Sequence, residues 1–208
     1  RSHSYEIKKV MIDSLIEGEV DFDDEEIFRI DTFDCVDNTA MYLGYSGINA
    51  FHSVVPSSIM EFYESIGIER SVASRPSTDY PAIRSLLSVK YLFNRVDGDS
   101  FVDAQTGETA MQGYTYHDTQ SGYFIYKNEN YVPYGFSYDY YITEEYLENY
   151  SDTEKSALML KGMVLNNEQA EKYNGILGNY EDVVNNYDAE NDDVNVFLDY
   201  EAMVSDCN

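Results

Sequence analysis

The stretch SVKYLFNRV, residues 88–96, constrains the fold more than any other part of this chain. A strand that is apolar on both faces must be covered on both faces, because buried strands read as near-continuous apolar runs. The stretch therefore predicts an interior strand of a sheet. Alternate side chains point to opposite faces of a strand. The two expected sets are Val89, Tyr91 and Phe93 on one face, and Lys90 and Leu92 on the other. Lys90 would then need a carboxylate or carbonyl partner, or would extend to the sheet edge.

Other strand-like stretches lie on both sides of this one. EIFRIDTFDCV, residues 26–36, reads as a strand in which Phe28, Ile30 and Phe33 are core candidates. Two turn signals, one Asp-Gly and one Thr-Gly, predict a hairpin over residues 99–116. The tyrosine-rich stretch, residues 122–142, supplies two more strands that are broken near residues 128–133. DVNVFLDYEAMV reads as a closing strand.

Helical spacing and capping residues predict several short helices. The opening segment has Ser4 available as an N-cap, and Asp79 can cap a helix that has Pro81 in its first turn. Ser151 and Glu154 form a capping box before KSALMLKGMVL, which reads as a helix. A shorter helix covers about 167–173. Another helix begins at Pro56 and ends near Ile66, and its predicted buried residues are Ile59, Met60, Phe62, Tyr63 and Ile66.

These elements predict an α+β fold, a mixed β-sheet with packed helices in a single main domain. Residues 1–25 read as an N-terminal helix and acidic linker. Residues 26–178 form the α+β domain, and residues 179–208 read as an acidic C-terminal strand and tail. At 208 residues the chain is long enough for one sizeable core.

The charge balance excludes nucleic acid as a partner. Thirty-nine acidic residues stand against thirteen basic ones, for a formal charge of −26, whereas phosphate binding needs clustered Lys and Arg. An anionic membrane surface would repel the domain as well. The charge favours solubility over dedicated cation binding, so we expect no cofactor, with nonspecific divalent cation binding left open. Two cysteines, Cys35 and Cys207, lack metal-ligand spacing, and whether they pair is open.

No catalytic or metal site is predicted. GYSGI, residues 44–48, lacks the final glycine of a nucleophile elbow. His52 and His117 stand in no ligand or triad spacing. Asp31, Asp34 and Asp37 cluster in sequence, but such spacings arise by chance in a chain this acidic.

The tyrosine-rich stretch holds seven tyrosines in twenty-one positions, while the whole chain has no tryptophan. Tyrosine suits half-buried sheet faces because its ring packs while its hydroxyl stays wet. A sugar-stacking platform would use the same chemistry, and commonly tryptophan as well. The structural interpretation is therefore favoured.

The loop at residues 38–55 is the most distinctive candidate for ligand binding, because loops carry function more often than the strands that position them. Its amide, hydroxyl and ring groups are those that polyol recognition requires. The candidate residues are Asn38, Tyr42, Tyr45, Asn49 and His52. The alternative is that the loop only packs onto the sheet, with Tyr42, Tyr45 and Phe51 buried as anchors.

Three stretches in order resemble the extracytoplasmic part of the YfhO family of bacterial multi-spanning membrane proteins. IFRIDTF followed by NTAMYLGYSGINAFHS is similar to that family's strand and Gly/Tyr-rich loop. IRSLLSVKYLF resembles its LLGVKY strand, with Ser88 where glycine is more usual. GYFIYKNENYVPYGFSYDYYI resembles its YxN…LPxGF segment, with Val132 for leucine and with Pro133, Gly135 and Phe136 retained.

This resemblance implies a GT-C-like glycosyltransferase setting, in which membrane helices hold a polyprenyl-phosphate sugar donor and cell-wall polymers such as lipoteichoic acid are glycosylated. The expected location is the extracytoplasmic face of the bacterial cell membrane. The fragment would then be non-catalytic, with its own membrane domain as a partner and a cell-wall polymer or glycan as a candidate ligand. Two alternatives stay open: a secreted glycan-acting hydrolase that uses two acids between Asp31 and Asp37, and a calcium-stabilised surface adhesion domain.

Overall fold

The computed structural model describes residues 20–70, 72–186 and 204. Its strands are β1 (Arg29–Phe33), β2 (Ser46–Gly47), β3 (Ala50–Phe51), β4 (Ala73–Ser74), β5 (Val89–Arg95), β6 (Tyr114–Gln120), β7 (Tyr123–Asn128), β8 (Tyr140–Thr143), β9 (Met163–Leu165) and β10 (Gly178–Asn179). Its helices are α1 (Thr39–Tyr42), α2 (Ser57–Ser65), α3 (Pro81–Leu86), α4 (Glu144–Leu147), α5 (Asp152–Leu158), α6 (Asn167–Tyr173) and α7 (Tyr180–Asn185). The predicted α+β fold with a mixed sheet is confirmed.

The main sheet has five strands in the order β2-β1-β5-β7-β6, so β5 is its central strand. β5 runs parallel to β1 and antiparallel to β7. Phe93 packs with Ile30 and Ile125 on one face, and Leu92 packs with Phe101 on the other. The predicted interior strand at residues 88–96 is therefore confirmed, with both faces covered.

The predicted facing of Lys90 is wrong. Arg29 pairs with Val89 and Ile30 pairs with Tyr91, so the register skips Lys90 at a bulge in β5. A bulge places two residues opposite one and redirects side chains. The Lys90 ammonium and the Tyr91 hydroxyl therefore both reach Asp24, at 2.6 and 3.1 Å. The expected carboxylate partner of Lys90 is present.

The tyrosine-rich stretch forms two strands, as predicted, but they belong to different sheets. β7 pairs with β6 through a two-residue turn at Ser121 and Gly122, both with positive φ, as primed hairpin turns require. β8 instead lies in a three-stranded sheet of order β10-β8-β9. Tyr123, Tyr126 and Tyr141 are buried, in keeping with the structural interpretation of these tyrosines. The hairpin predicted over residues 99–116 is reduced to one antiparallel bridge, between Val102 and Thr109.

The helices predicted within the described residues are present, but they differ from the prediction in detail. α2 and α6 lie where they were expected, but Ile59 is exposed rather than buried. The cap of α3 is Tyr80, because the Asp79 carboxylate accepts a hydrogen bond from Ser77 instead.

The predicted helix KSALMLKGMVL is too long. α5 ends at Leu158, and residues 163–165 form β9 instead. A Cβ on Gly162 would lie 2.7 Å from Ile142 Cγ1, so only glycine allows the chain to pass this close to β8 and pair with it as a strand.

A second core lies between the helices and the three-stranded sheet. Its buried members include Ile66, Ile83, Leu158, Tyr180 and Val204. The predicted N-terminal helix, Cys207 and the closing strand lie outside the described residues, apart from Val204. Within the acidic linker, Phe22 stacks on Tyr91, with ring centroids 4.1 Å apart.

The predicted capping box at the start of α5 is present. The Ser151 hydroxyl accepts from the Glu154 amide, and the Glu154 carboxylate accepts from the Ser151 amide at 2.8 Å. Hydrogen bonds from the Ser151 side chain and backbone lower the pKa of Glu154. We expect Ser151→Ala to reduce the free energy of unfolding by about 1 kcal/mol, because it leaves an amide at the helix start without its acceptor. Urea unfolding measures this loss, and Ser53→Ala in an exposed loop is the control expected to stay unchanged.

Candidate binding cleft

A cleft of about 340 Å³ lies beside β1 and the loop that follows it. This is the carboxyl end of a strand in the parallel part of the sheet, where open sheets commonly bind ligands. Its walls come from β1 and its loop, from Asn49, from α3 and the segment before it, and from β5. The lining residues are Asp31, Thr32, Phe33, Asp34, Cys35, Val36, Asp37, Asn49, Arg75, Pro76, Ser77, Thr78, Arg84 and Leu92.

A buried ion pair forms the floor of the cleft. Arg84 Nε lies 3.0 Å from Asp31 Oδ2, and both side chains are 2% exposed. The same guanidinium donates to three backbone carbonyls of the preceding loop and turn, those of Pro76, Ser77 and Tyr80. Arg84 therefore fixes the loop that forms one wall of the cleft.

Asn49 is hydrogen-bonded to β1 at this floor. Its amide nitrogen donates to the Asp31 carboxylate and to the Thr32 carbonyl, the latter at 2.8 Å. The other carboxylate oxygen of Asp31 is the one paired with Arg84. The Asn49 amide oxygen is buried and has no hydrogen-bond partner among the described residues. The floor thus offers one hydrogen-bond acceptor without a partner among the described residues, next to an ion pair whose two charges offset each other.

The rim of the cleft also holds paired charges. Arg75 binds both oxygens of Asp37 in bidentate geometry at 2.6 to 2.8 Å. The Asp34 carboxylate accepts the Asp99 amide at 2.7 Å. Burial raises the pKa of the Cys35 thiol to about 12, so it stays protonated at neutral pH. A protonated, buried thiol is a poor nucleophile.

The five residues predicted to bind a ligand do not form one site. Asn49 lines the cleft, whereas Tyr45 packs among Phe22 and Phe28 and donates its hydroxyl to the Val20 carbonyl at 3.0 Å. Asn38 is used by the fold, because its amide side chain binds both the N–H and the carbonyl of Phe51.

Tyr42 and His52 are exposed elsewhere on the loop. Of the three side chains expected to anchor the loop, only Tyr45 is packed, since Tyr42 and Phe51 are more than 40% exposed. Arg84, the central residue of the cleft floor, was not among the candidates. An arginine within an otherwise uncharged helical stretch, PAIRSLL, was the signal for it.

His52 lines a second groove of about 370 Å³ between α2, α3 and β3. Its walls are largely apolar, with Ile59, Phe62 and Leu87, and it also contains Arg29 and Arg70. No carboxylate lines it, although acidic residues outnumber basic ones threefold in the chain.

The described residues contain no cluster of three or more His, Cys, Asp or Glu side chains that could hold a metal ion. Within the same ranges, none of the helices is both long and apolar enough to cross a membrane.

The comparisons with known proteins settle the family. The model of the family described as bacterial membrane protein YfhO matches residues 9–199. The chain belongs to the YfhO family. It is similar to "Uncharacterized protein YfhO" of Bacillus subtilis (strain 168), with 28% identity over 150 residues. The match covers 69% of this chain and 16% of that protein, so the chain spans about a sixth of the length of this YfhO relative. No solved structure matches.

Proposed function

We propose that this chain is a non-catalytic extracytoplasmic domain of a YfhO-family membrane protein. In this proposal the whole protein glycosylates a cell-wall polymer such as lipoteichoic acid with a polyprenyl-phosphate sugar donor. The domain works beside its own membrane domain and helps to hold the acceptor polymer. The observation that carries this proposal is the family match over residues 9–199 together with the small share of the relative that the chain covers.

The geometry of the cleft supports a non-catalytic role. Glycan hydrolases generally use two carboxyl groups about 5 to 10 Å apart, one of which has a raised pKa so that it can donate a proton. Asp31 is bound by Arg84 and Asn49, Asp37 by Arg75, and Asp34 by a backbone amide. Each of these carboxylates is already engaged by a donor of the fold. This arrangement counts against the hydrolase alternative.

The cleft also supports polyol binding. The exposed Arg75 guanidinium, the buried Asn49 acceptor and the backbone groups of residues 76–78 lie around one concavity. A glycerol-phosphate polymer offers hydroxyls to such groups, but its charge is repelled by a protein at −26. Divalent cations that bridge the two would offset this repulsion.

We expect a glycerol-phosphate polymer at millimolar concentration to shift the amide resonances of residues 31–37, 49, 75, 77 and 78. The shifts should grow when magnesium or calcium is added, because the cation screens and bridges like charges. Two-dimensional NMR of the labelled chain measures both effects, and sodium at matched ionic strength is the control. Shifts on other surfaces alone, or affinity that is unchanged by divalent cations, would contradict this expectation.

The role of the whole protein needs a separate test. In cells, removing residues 26–178 from the full-length protein should abolish glycosylation of the cell-wall polymer while the remaining protein is still present in the membrane. The purified chain alone should show no transfer from a polyprenyl-phosphate sugar and no glycan hydrolysis. Turnover by the purified chain would show that the domain is an enzyme.

A further inference from the structure

Residues 38–60 form a long segment without Asp, Glu, Lys or Arg, in a chain of which 25% is charged. Such a gap in an acidic sequence would be unremarkable if the segment were buried. The structure instead exposes much of it. From Phe51 to Ile59, every residue except Val55 is exposed, and Val54 has 88% of its surface in contact with solvent.

Neighbouring elements extend this exposed segment into one surface. The Asn38 side chain, at the start of α1, is hydrogen-bonded to the backbone of Phe51 in β3. The His52 amide donates to the Val72 carbonyl at 2.7 Å, next to the pairing of β3 with β4. The uncharged face is therefore defined as residues 51–59 together with Met41, Tyr42 and Val72, all three of which are exposed.

The composition of the uncharged face is that of an interfacial surface rather than of an ordinary acidic one. Monomeric proteins scatter exposed apolar side chains singly, and contiguous patches mark interaction sites. Here aliphatic and aromatic side chains stand next to serines and a histidine. The acid-free groove that contains Arg29 and Arg70 opens beside them.

We infer that the uncharged face rests on the surface of a phospholipid bilayer, with Val54 and its neighbours among the upper acyl chains. The chain belongs to a family of membrane proteins, and this inference rests on that membership rather than on the glycosylation role. The strong negative charge of the chain repels anionic headgroups. A face that lacks carboxylates therefore approaches a bilayer at the lowest electrostatic cost. Arg29 and His52 in the adjoining groove offer donors that suit lipid phosphate groups.

The absence of tryptophan from the chain allows a direct test. We expect the indole of Val54→Trp in the full chain to shift its emission to shorter wavelength when phosphatidylcholine vesicles are added. Ile176→Trp is the matched control, since Ile176 is 79% exposed between α6 and β10, away from the uncharged face. Its emission should not change.

Lipid composition and salt sharpen the test. At low ionic strength, vesicles with equal parts of phosphatidylcholine and phosphatidylglycerol should bind less than phosphatidylcholine alone, because the chain carries a net negative charge. Added salt should reduce this difference in binding, since it screens the repulsion. Val54→Asp should lower partition into phosphatidylcholine vesicles about tenfold, which is the loss expected for one buried valine side chain.

Several outcomes would overturn the inference. The first is no emission shift with either vesicle type at millimolar lipid. The second is an equal shift of the Ile176→Trp control, which would show nonspecific adsorption. The third is a shift of Val54→Trp on raising the protein concentration without vesicles, which would show that a second copy covers this face. All three leave the polymer-binding and glycosylation tests unaffected.

Discussion

Replacing Arg84 with methionine is expected to lower the free energy of unfolding by about 3 to 5 kcal/mol. The change leaves the Asp31 carboxylate, 2% exposed, without its cation. It also removes the donor that binds the carbonyls of Pro76, Ser77 and Tyr80. A buried charge without a partner costs more than the lost attraction alone, because its desolvation is no longer offset. Urea unfolding at neutral pH measures the loss.

Arg75→Met is the matched control, because Arg75 also binds an aspartate but its side chain is 62% exposed. Exposed ion pairs contribute about 0 to 1 kcal/mol, so this variant should unfold close to the wild type. Asp31→Asn should fall between the two, since it leaves the buried Arg84 guanidinium without its counter-ion but still bound to the three carbonyls. Equal losses for Arg84→Met and Arg75→Met would contradict the assignment of Arg84 as the residue that fixes the cleft floor.

Much of the fold follows from local sequence patterns. The apolar run at residues 88–96 predicts the central strand because only a doubly covered strand tolerates such a run. The capping box at Ser151 and Glu154 predicts the start of α5, because its signal lies within four residues. The end of the same helix was missed. Gly162 matters through its approach to Ile142, a contact distant in sequence that no local pattern records.

The cleft was only partly predictable for the same reason. The loop at residues 38–55 was identified from its small and polar residues, and Asn49 does line the cleft. Asn38 and Tyr45 turned out to serve the fold, because an amide or a hydroxyl suits a backbone partner as well as it suits a ligand. Arg84 meets Asp31 across fifty-three positions of sequence. That pairing depends on where α3 packs against the sheet.

A second large loss of stability is expected from a substitution at the bulge in β5. Lys90 Nζ lies 2.6 Å from Asp24 and 2.7 Å from Glu26, and the Lys90 and Asp24 side chains are each 12% exposed. Burial opposes both charges, but hydrogen bonds and charge attraction together outweigh it. Those from Lys90, the Glu26 amide and Tyr91 lower the pKa of Asp24, and those to Asp24 and Glu26 raise the pKa of Lys90. Each group therefore stabilises the charged form of the other. The acidic linker is held to the sheet by this contact.

Lys90→Met is expected to lower the free energy of unfolding by about 2 kcal/mol near neutral pH, because it leaves a largely buried carboxylate without its cation. The difference from wild type should shrink as the pH falls through the lowered pKa of Asp24, below its ordinary value of 3.8, because the protonated carboxyl no longer needs the ammonium. It should also shrink as the pH rises past 10.5 through the raised pKa of Lys90, where the ammonium loses its charge. Urea unfolding of both proteins across this range measures the difference, and Lys127→Met, which removes a 42% exposed lysine from the adjacent β7, is the control. A difference that stays constant from acid to alkaline pH would show that Lys90 acts through packing of its methylenes rather than through its charge.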